Sequence, residues 1–414
     1  MIVLSGAALV LPDRILSPGT LFIDGDRIVD IRSGDSGAGH PHAQFAFHGH
    51  YIVPGFIDVH VHGVEGVDAL DDVDDAVRSI AARLPRYGVT GFCPTTVACA
   101  PDELRGVLKQ VRDARAWPVS RGARVLPAHL ESNFISPEFR GAQPLACLRS
   151  PRAALAGPTK IAHPVRDGDD RFVASDVLRE IERAAPDVGI VTLAPELEGG
   201  LDLIQWLTAH GVRASLGHSG ASYEQAVAAI AAGATHATHL FNRMPPLHHR
   251  SPGLAGAVLQ ADDVAAELIC DGCHVHPALV RTAIAAKRPS RVMAITDATA
   301  VAGLPAGGRA QLGRQPIIAG ESTALLADGT IAGSLATMDR VFRMLTGSAG
   351  VPLVDAATVC ATTPARQLGL NGYGLIAPDA TADLTVLDQN LAVVQTYVGG
   401  QLVYSRNTPT RSIV

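Results

Sequence analysis

From residue 51 onward the chain repeats one pattern: a short β-branched, apolar run, then a segment rich in Ala and Leu. The runs are "IVPGFIDVHVHG", "GVTGFCPTTV", "ARVLPAHLES", "GIVTLAPE", "VRASLGHS", "ATHATHLFN", "AELICDGCHV" and "RVMAITDAT". Each has strand length and strand composition. Segments between them, such as "DDAVRSIAARLPRYG" and "SYEQAVAAIAAG", space their apolar residues helically and end in Gly, which suits helices that stop at a C-cap. Eight β/α units predict an α/β chain closed into a (β/α)8 TIM-type barrel rather than an open sheet. The two ends read differently, with short strands and turn signals in "TLFIDGDRIVDI" and "ADLTVLDQNLAVVQTYVGGQLVY". The expected organisation is a barrel over 55–371 and one small β-sandwich domain from 1–54 and 372–414. Residues 309–334 read as a hairpin excursion after the last barrel strand, and "ATVCATTPARQLGL" as a late helix on the barrel.

Composition is consistent with that frame. A chain of 414 residues exceeds the roughly 250 to 300 at which single cores stop growing, so one large domain plus a smaller one is expected. Hydrophobic residues at 47% against 18% charged predict a large buried core. A net charge of −6 and a pI near 6.2 leave no basic footprint for nucleic acid. The longest apolar runs, such as "AVAAIAAGA", fall far short of the roughly 20 residues of a membrane span. The N-terminus "MIVLSGAALVLPDRIL" lacks a basic segment and a cleavage pattern, so a cytoplasmic chain is expected. Six scattered cysteines predict free thiols, and "CDGC" at 270–273 sits at a strand end rather than at the helix N-terminus that a redox pair needs.

The polar residues gather at one end of the predicted strands. His60 and His62, two apart on the first strand, face the same way. Glu131 ends the third strand, His218 the fifth, His239 the sixth, His274 the seventh and Asp297 the eighth. All eight strand ends of such a barrel open on one mouth, where active sites sit. A single histidine is as readily a hydrogen-bonded core residue; His, Glu and Asp at six matching strand ends point to a divalent-metal centre. His236 has no such partner and reads as structural.

These segments carry a resemblance. "PGFIDVHVHG", "HLE", "LAPE", "GHSGASYEQA", "THLFNRMPPLHHRSPG", "ICDGCHVHP", "ITDAT", "DGTIAGS" and "ATTPARQLGL" are similar, in order, to the motifs of the N-acetylglucosamine-6-phosphate deacetylases of the amidohydrolase superfamily. The resemblance implies hydrolysis of the acetyl amide of a small amino sugar phosphate. It implies Glu131, His218 and His239 as ligands of one metal, and His60 and His62 as ligands of a second that Glu131 bridges. Zinc or iron, one or two per chain, suits imidazole and carboxylate donors. Related amidohydrolases bridge with a carboxylated lysine instead, but only Lys109, Lys160 and Lys287 exist here and none lies on the fourth strand. Asp297 corresponds to the general acid/base, and its place also suits a helix N-cap. Asn242, Arg250 and His274 correspond to residues that hold the sugar phosphate, Arg250 through its planar fork. Family members are commonly homodimers.

Three departures stand out. Ser132 and Asn133 replace Gly-Pro after the glutamate, Gln143 beside Ala142 replaces a histidine that helps bind the sugar, and Arg243 replaces an alanine. All are expected in loops facing the substrate. A different N-acyl amino sugar, an N-acyl amino acid or a cyclic amide therefore stays open as substrate, as does a non-catalytic scaffold. His248 and His249 shape the loop or a subunit contact.

Overall fold

The structure is a computed structural model that describes residues 1–35, 43–71, 75–157 and 172–406. Eight parallel strands build the barrel: β1 Phe56–Val61, β2 Val89–Thr96, β3 Ala128–Glu131, β4 Val188–Leu193, β5 Arg213–Leu216, β6 His236–Ala237, β7 Ala265–Ile269 and β8 Val292–Ile295. They pair in chain order, β2 also holding the two-residue strand Arg124–Val125. The circle closes just beyond β8, where Asp297 N donates to His60 O at 3.0 Å and His62 N to Ala298 O at 2.8 Å. Every residue of β1, β2, β4 and β7 is buried, as strands covered on both faces require. β6 is shorter than its sequence run because the backbone turns left-handed at His239, at φ 30°.

The barrel interior is polar. Thr296 Oγ1 donates to Asp58 Oδ2 at 2.6 Å, His129 Nε2 meets Thr192 Oγ1 at 2.8 Å, and Thr238 Oγ1 lies 2.8 Å from Thr192 Oγ1 and 2.6 Å from Ser215 Oγ. All are buried, so each hydroxyl or ring that pairs avoids the cost of an orphaned polar group. Helices cover the outside. The helix Tyr223–Ala231 after β5 begins at a capping box in which Ser222 and Gln225 satisfy each other's backbone N–H groups.

Strands from both termini form a single hydrogen-bonded sheet, Gln401–Ser405, Val393–Val398, Leu384–Leu387, Tyr51–Pro54, Ile2–Val10, Ile15–Asp24 and Arg27–Ser33 in order, with Ala43–Ala46 beside Ile2–Val10. The expected sandwich is thus one sheet curled on itself: Ile28 from one edge and Tyr397 from near the other share a core with Leu4, Leu21 and Val386. Register breaks after Leu4 and Ala7, with Gly6 at φ 78°, bend the shared strand. Residues 309–334 form a four-stranded antiparallel meander rather than a single hairpin. Among the described residues no helix is long and apolar enough to cross a membrane.

Phe56 starts β1, is fully buried and packs its ring 5.1 Å from that of Phe342 on the helix Met338–Thr346. Phe56→Ala should cost about 3 to 5 kcal/mol, read as a lower denaturant midpoint. A loss below about 1 kcal/mol would show that the gap closes by relaxation.

Candidate active site

The chain places the acidic and imidazole groups where β-strand geometry ends and turns begin. Glu131 is the last residue of β3, and His218, His239 and Asp297 each lie two residues past their strands. These last three have φ of 46°, 30° and 49°, a left-handed backbone that costs a non-glycine residue free energy. Neighbouring hydrogen bonds hold it: Ser136 N donates to His218 O at 2.9 Å, Asn242 N to His239 O at 2.9 Å and Ser334 N to Asp297 O at 2.8 Å. Gly333, at φ 89°, leaves room there, since a Cβ would meet Asp297 O at 2.8 Å.

Two sets of donors meet at the mouth. Glu131 Oε1 lies 2.7 Å from His218 Nε2 and 2.8 Å from His239 Nε2, and those nitrogens are 3.1 Å apart. His218 gives its Nδ1 proton to Phe139 O at 2.8 Å, so in the neutral ring Nε2 presents a bare lone pair to a carboxylate oxygen. Lone pairs so close inside a buried site are relieved by a proton or a cation between them, and these three groups fit a divalent metal. The second set is His60 Nε2, His62 Nε2 and Asp297 Oδ1, separated by 3.3 to 3.4 Å. Glu131 Oε2 is 3.5 Å from His62 Nε2, so the one carboxylate touches both sets.

Burial alone would raise the Glu131 and Asp297 carboxyls. The imidazoles outweigh it: His218 and His239 hold Glu131 well below its ordinary value, while His60 and His62 hold Asp297 at about 2. Burial lowers His60 to about 4, so near neutral pH the charge beside Asp297 belongs to His62, which Asp297 and Glu131 raise to about 9 against its burial.

Above this floor opens a cavity of about 500 Å³, with Ala142, Gln143, Asn242, Arg243 and His274 in its walls. His274 is oriented by Asp271, whose Oδ2 accepts from Nδ1 at 2.6 Å. Arg243 lies against Gly141 and donates to Ile331 O at 3.3 Å, across the cavity wall. Arg250 does not join them; it is exposed beyond the His248–His249 pair and lines no part of the cavity in its own chain.

Ser132 and Asn133 depart from the expectation of loops facing the substrate. Both are buried: Ser132 Oγ donates to Thr192 O at 2.6 Å, and Asn133 Nδ2 to Cys99 O at 2.8 Å and Cys147 O at 2.7 Å. Gln143 is likewise 5% exposed and donates to Glu131 Oε2. His236 sits at the other end of β6, bonded to Thr235 Oγ1 at 2.9 Å. Lys109 pairs with Asp113 on a surface helix, Lys287 is buried against Ala261 O, and Lys160 lies outside the described residues. All six cysteines are free, and within "CDGC" Asp271 instead accepts from the Cys273 and His274 amides.

Three supporting residues escaped the sequence reading. Glu267 Oε2 holds His60 Nδ1 at 2.9 Å, Asp271 holds His274, and Glu196 takes Ser219 Oγ and Gly220 N, both at 2.6 Å, fixing the loop after His218. The only available signals were an acidic residue inside the apolar run "VAAELIC" and the glutamate of "LAPE".

A closed barrel with His, Glu and Asp donors at its strand ends defines a hydrolase of the amidohydrolase type, and residues 51–403 match the amidohydrolase family. The chain is 38% identical to the N-acetylglucosamine-6-phosphate deacetylase of Mus musculus, over 94% of this chain and 90% of that one. The deacetylase of Bacillus subtilis is 32% identical over 85% of this chain and 84% of its own. Among solved structures, a variant of the deacetylase from Mycobacterium smegmatis in complex with N-acetyl-D-glucosamine-6-phosphate superposes with a TM-score of 0.85. It is 33% identical and covers 98% of this chain and 99% of that one. The chain belongs to the N-acetylglucosamine-6-phosphate deacetylases, within the amidohydrolase family, and is an enzyme.

His236 supplies a pH test away from the donor sets. Burial depresses it from 6.5 to about 3, so the folded protein leaves it neutral while the unfolded chain protonates it. Its contribution is therefore present above pH 6.5 and lost as pH falls toward 3. Between pH 7 and 5 the wild type should lose about 2 kcal/mol more stability than His236→Leu. Equal losses in urea titrations of the two would show that the ring is not held neutral.

Proposed function

We propose that this site removes the acetyl group from N-acetylglucosamine 6-phosphate, yielding glucosamine 6-phosphate and acetate. The observation that carries the reading is the pairing of Glu131, His218 and His239 with Asp297 on the floor of a cavity walled by Arg243, Asn242 and His274. About 500 Å³ suits a sugar phosphate, and the relatives' substrate has that size and charge.

A divalent cation, with zinc or iron the natural choices, would be held by Glu131, His218 and His239 and by a second position at His60 and His62; when bound it lowers the pKa of water from about 15.7 toward about 7 and polarises an amide carbonyl. Asp297, whose carboxyl is held low at about 2, accepts the proton of the attacking water and passes it to the amine nitrogen as the C–N bond breaks. Glu267 keeps the His60 proton on Nδ1, so Nε2 faces the site. Asp271 does the same for His274 and leaves its Nε2 for the substrate.

Within one chain, Arg243 is the guanidinium in the cavity wall and the group to meet phosphate oxygens. Arg250 meets a phosphate only if a second subunit brings it, which accords with a homodimer using the exposed loop around Leu247 and His248. We assign catalysis to the barrel over 55–371 in a cytoplasmic enzyme, and the terminal strands to a supporting domain. With Ser132 and Asn133 buried, Arg243 and Gln143 are the departures that line the cavity.

Asp297→Asn should keep the fold and the bound zinc while kcat falls by about 10²- to 10⁴-fold; near-normal turnover in a zinc-loaded variant would sink the assignment. Arg243→Ala should lower kcat/KM for the phosphorylated sugar by about tenfold to a hundredfold and change the unphosphorylated sugar far less. A similar small effect on both would mean that this side chain does not read phosphate.

A further inference from the structure

Gln143 stands where the resembled family has a sugar-binding histidine, yet its amide is occupied at both ends. Its Oε1 accepts from Ala98 N at 2.7 Å and its Nε2 donates to Glu131 Oε2. The orientation is forced: Ala98 N–H is only a donor, so the amide oxygen must face it, which turns the NH₂ toward a carboxylate that can only accept. Both partners are buried, with Glu131 3% and Gln143 5% exposed, so neither bond is readily replaced by water.

The segments that hold Gln143 are themselves tied together by another departure. Asn133 Nδ2 donates to Cys99 O, next to Ala98, and to Cys147 O, at the far end of the loop bearing Gln143. Arg149 N returns a hydrogen bond to Asn133 O at 2.7 Å. Ser132 Oγ anchors the turn between Glu131 and Asn133 to Thr192 O and also accepts from Phe134 N at 3.1 Å. Glu131, Ser132 and Asn133 are consecutive. The unusual residues therefore form one connected support under the carboxylate.

We infer that Gln143, braced by Ala98 and Asn133, is a positioning residue for Glu131 and not a contact that recognises the sugar. Its amide hydrogen occupies one lone pair of Oε2 and fixes the carboxylate plane. Oε1 is then aimed at His218 and His239, while the remaining side of Oε2 faces His62. Without that bond the carboxylate can rotate about its last torsion, and the three-group set loses its shared oxygen. This rests on the metal reading above and deepens it: the departures preserve the centre by a different route and leave substrate choice to other walls of the cavity.

The test is zinc affinity, measured on metal-free full-length protein by competition with a chromophoric chelator, alongside kcat and KM for N-acetylglucosamine 6-phosphate. Gln143→Met keeps volume and removes the donor; it should weaken zinc binding by about tenfold to a hundredfold, with KM of the zinc-saturated enzyme within about threefold of wild type. Asn133→Ala, which touches neither donor set, should weaken zinc in the same direction. The double variant should lose less than the product of the two single effects, because both act through one chain of bonds. Unchanged zinc affinity in Gln143→Met with a KM raised tenfold or more would overturn the inference and restore Gln143 as a sugar contact. A wild-type protein that takes up no zinc would overturn the metal reading itself, and this inference with it.

Discussion

The mouth of this barrel depends on one carboxylate. Glu131 has two oxygens, and each is shared: Oε1 between His218 and His239, Oε2 between Gln143 and the side facing His62. A buried anion of that kind is stable only when cations or hydrogen-bond donors surround it closely, because desolvation otherwise drives it to take up a proton. The imidazoles do outweigh burial at Glu131. Everything else at the site serves to keep the donors within that reach.

Two layers of structure accomplish this. Beneath the donors lies the polar barrel interior, where Glu267 and His129 press on His60 and the hydroxyls of Thr192, Ser215 and Thr238 complete the network. Such groups are expensive to bury singly and hold one another in place where they pair. Around the donors lie turns with left-handed residues at His218, His239 and Asp297, a strain that the strand-end hydrogen bonds and Gly333 absorb. The donor geometry is thereby placed at or just past strand ends rather than on long loops.

The outer walls of the cavity are built on the more open elements. Arg243 reaches across from the segment after β6 to Ile331 on the meander, and His274 leans on Asp271 from the segment after β7. The four-stranded meander, an insertion relative to a plain barrel, closes one wall through Leu312, Ile331 and Gly333. The His, Glu and Asp donors and the outer walls of the cavity thus sit on different parts of the chain.

Strand count, barrel closure and the identity of the donor residues were all legible in the sequence, because each depends on local pattern. Short β-branched apolar runs, Gly-terminated helical segments and a ligand-type residue at six of the eight strand ends repeat in register with the fold. The direction in which a loop side chain points was not legible. Nothing local separates Arg243, which enters the cavity wall, from Arg250, which stays in solvent seven residues on. Nor does any spacing rule bring Glu267 to His60 across 207 positions, or Gln143 to Glu131. Those outcomes require hydrogen-bond partners that only the closed barrel brings together. The sequence by itself determined the class of fold and the kinds of atoms at its mouth; tertiary structure decided which of those atoms meet, since a buried polar side chain turns toward whichever donor or acceptor the packed chain leaves unpaired.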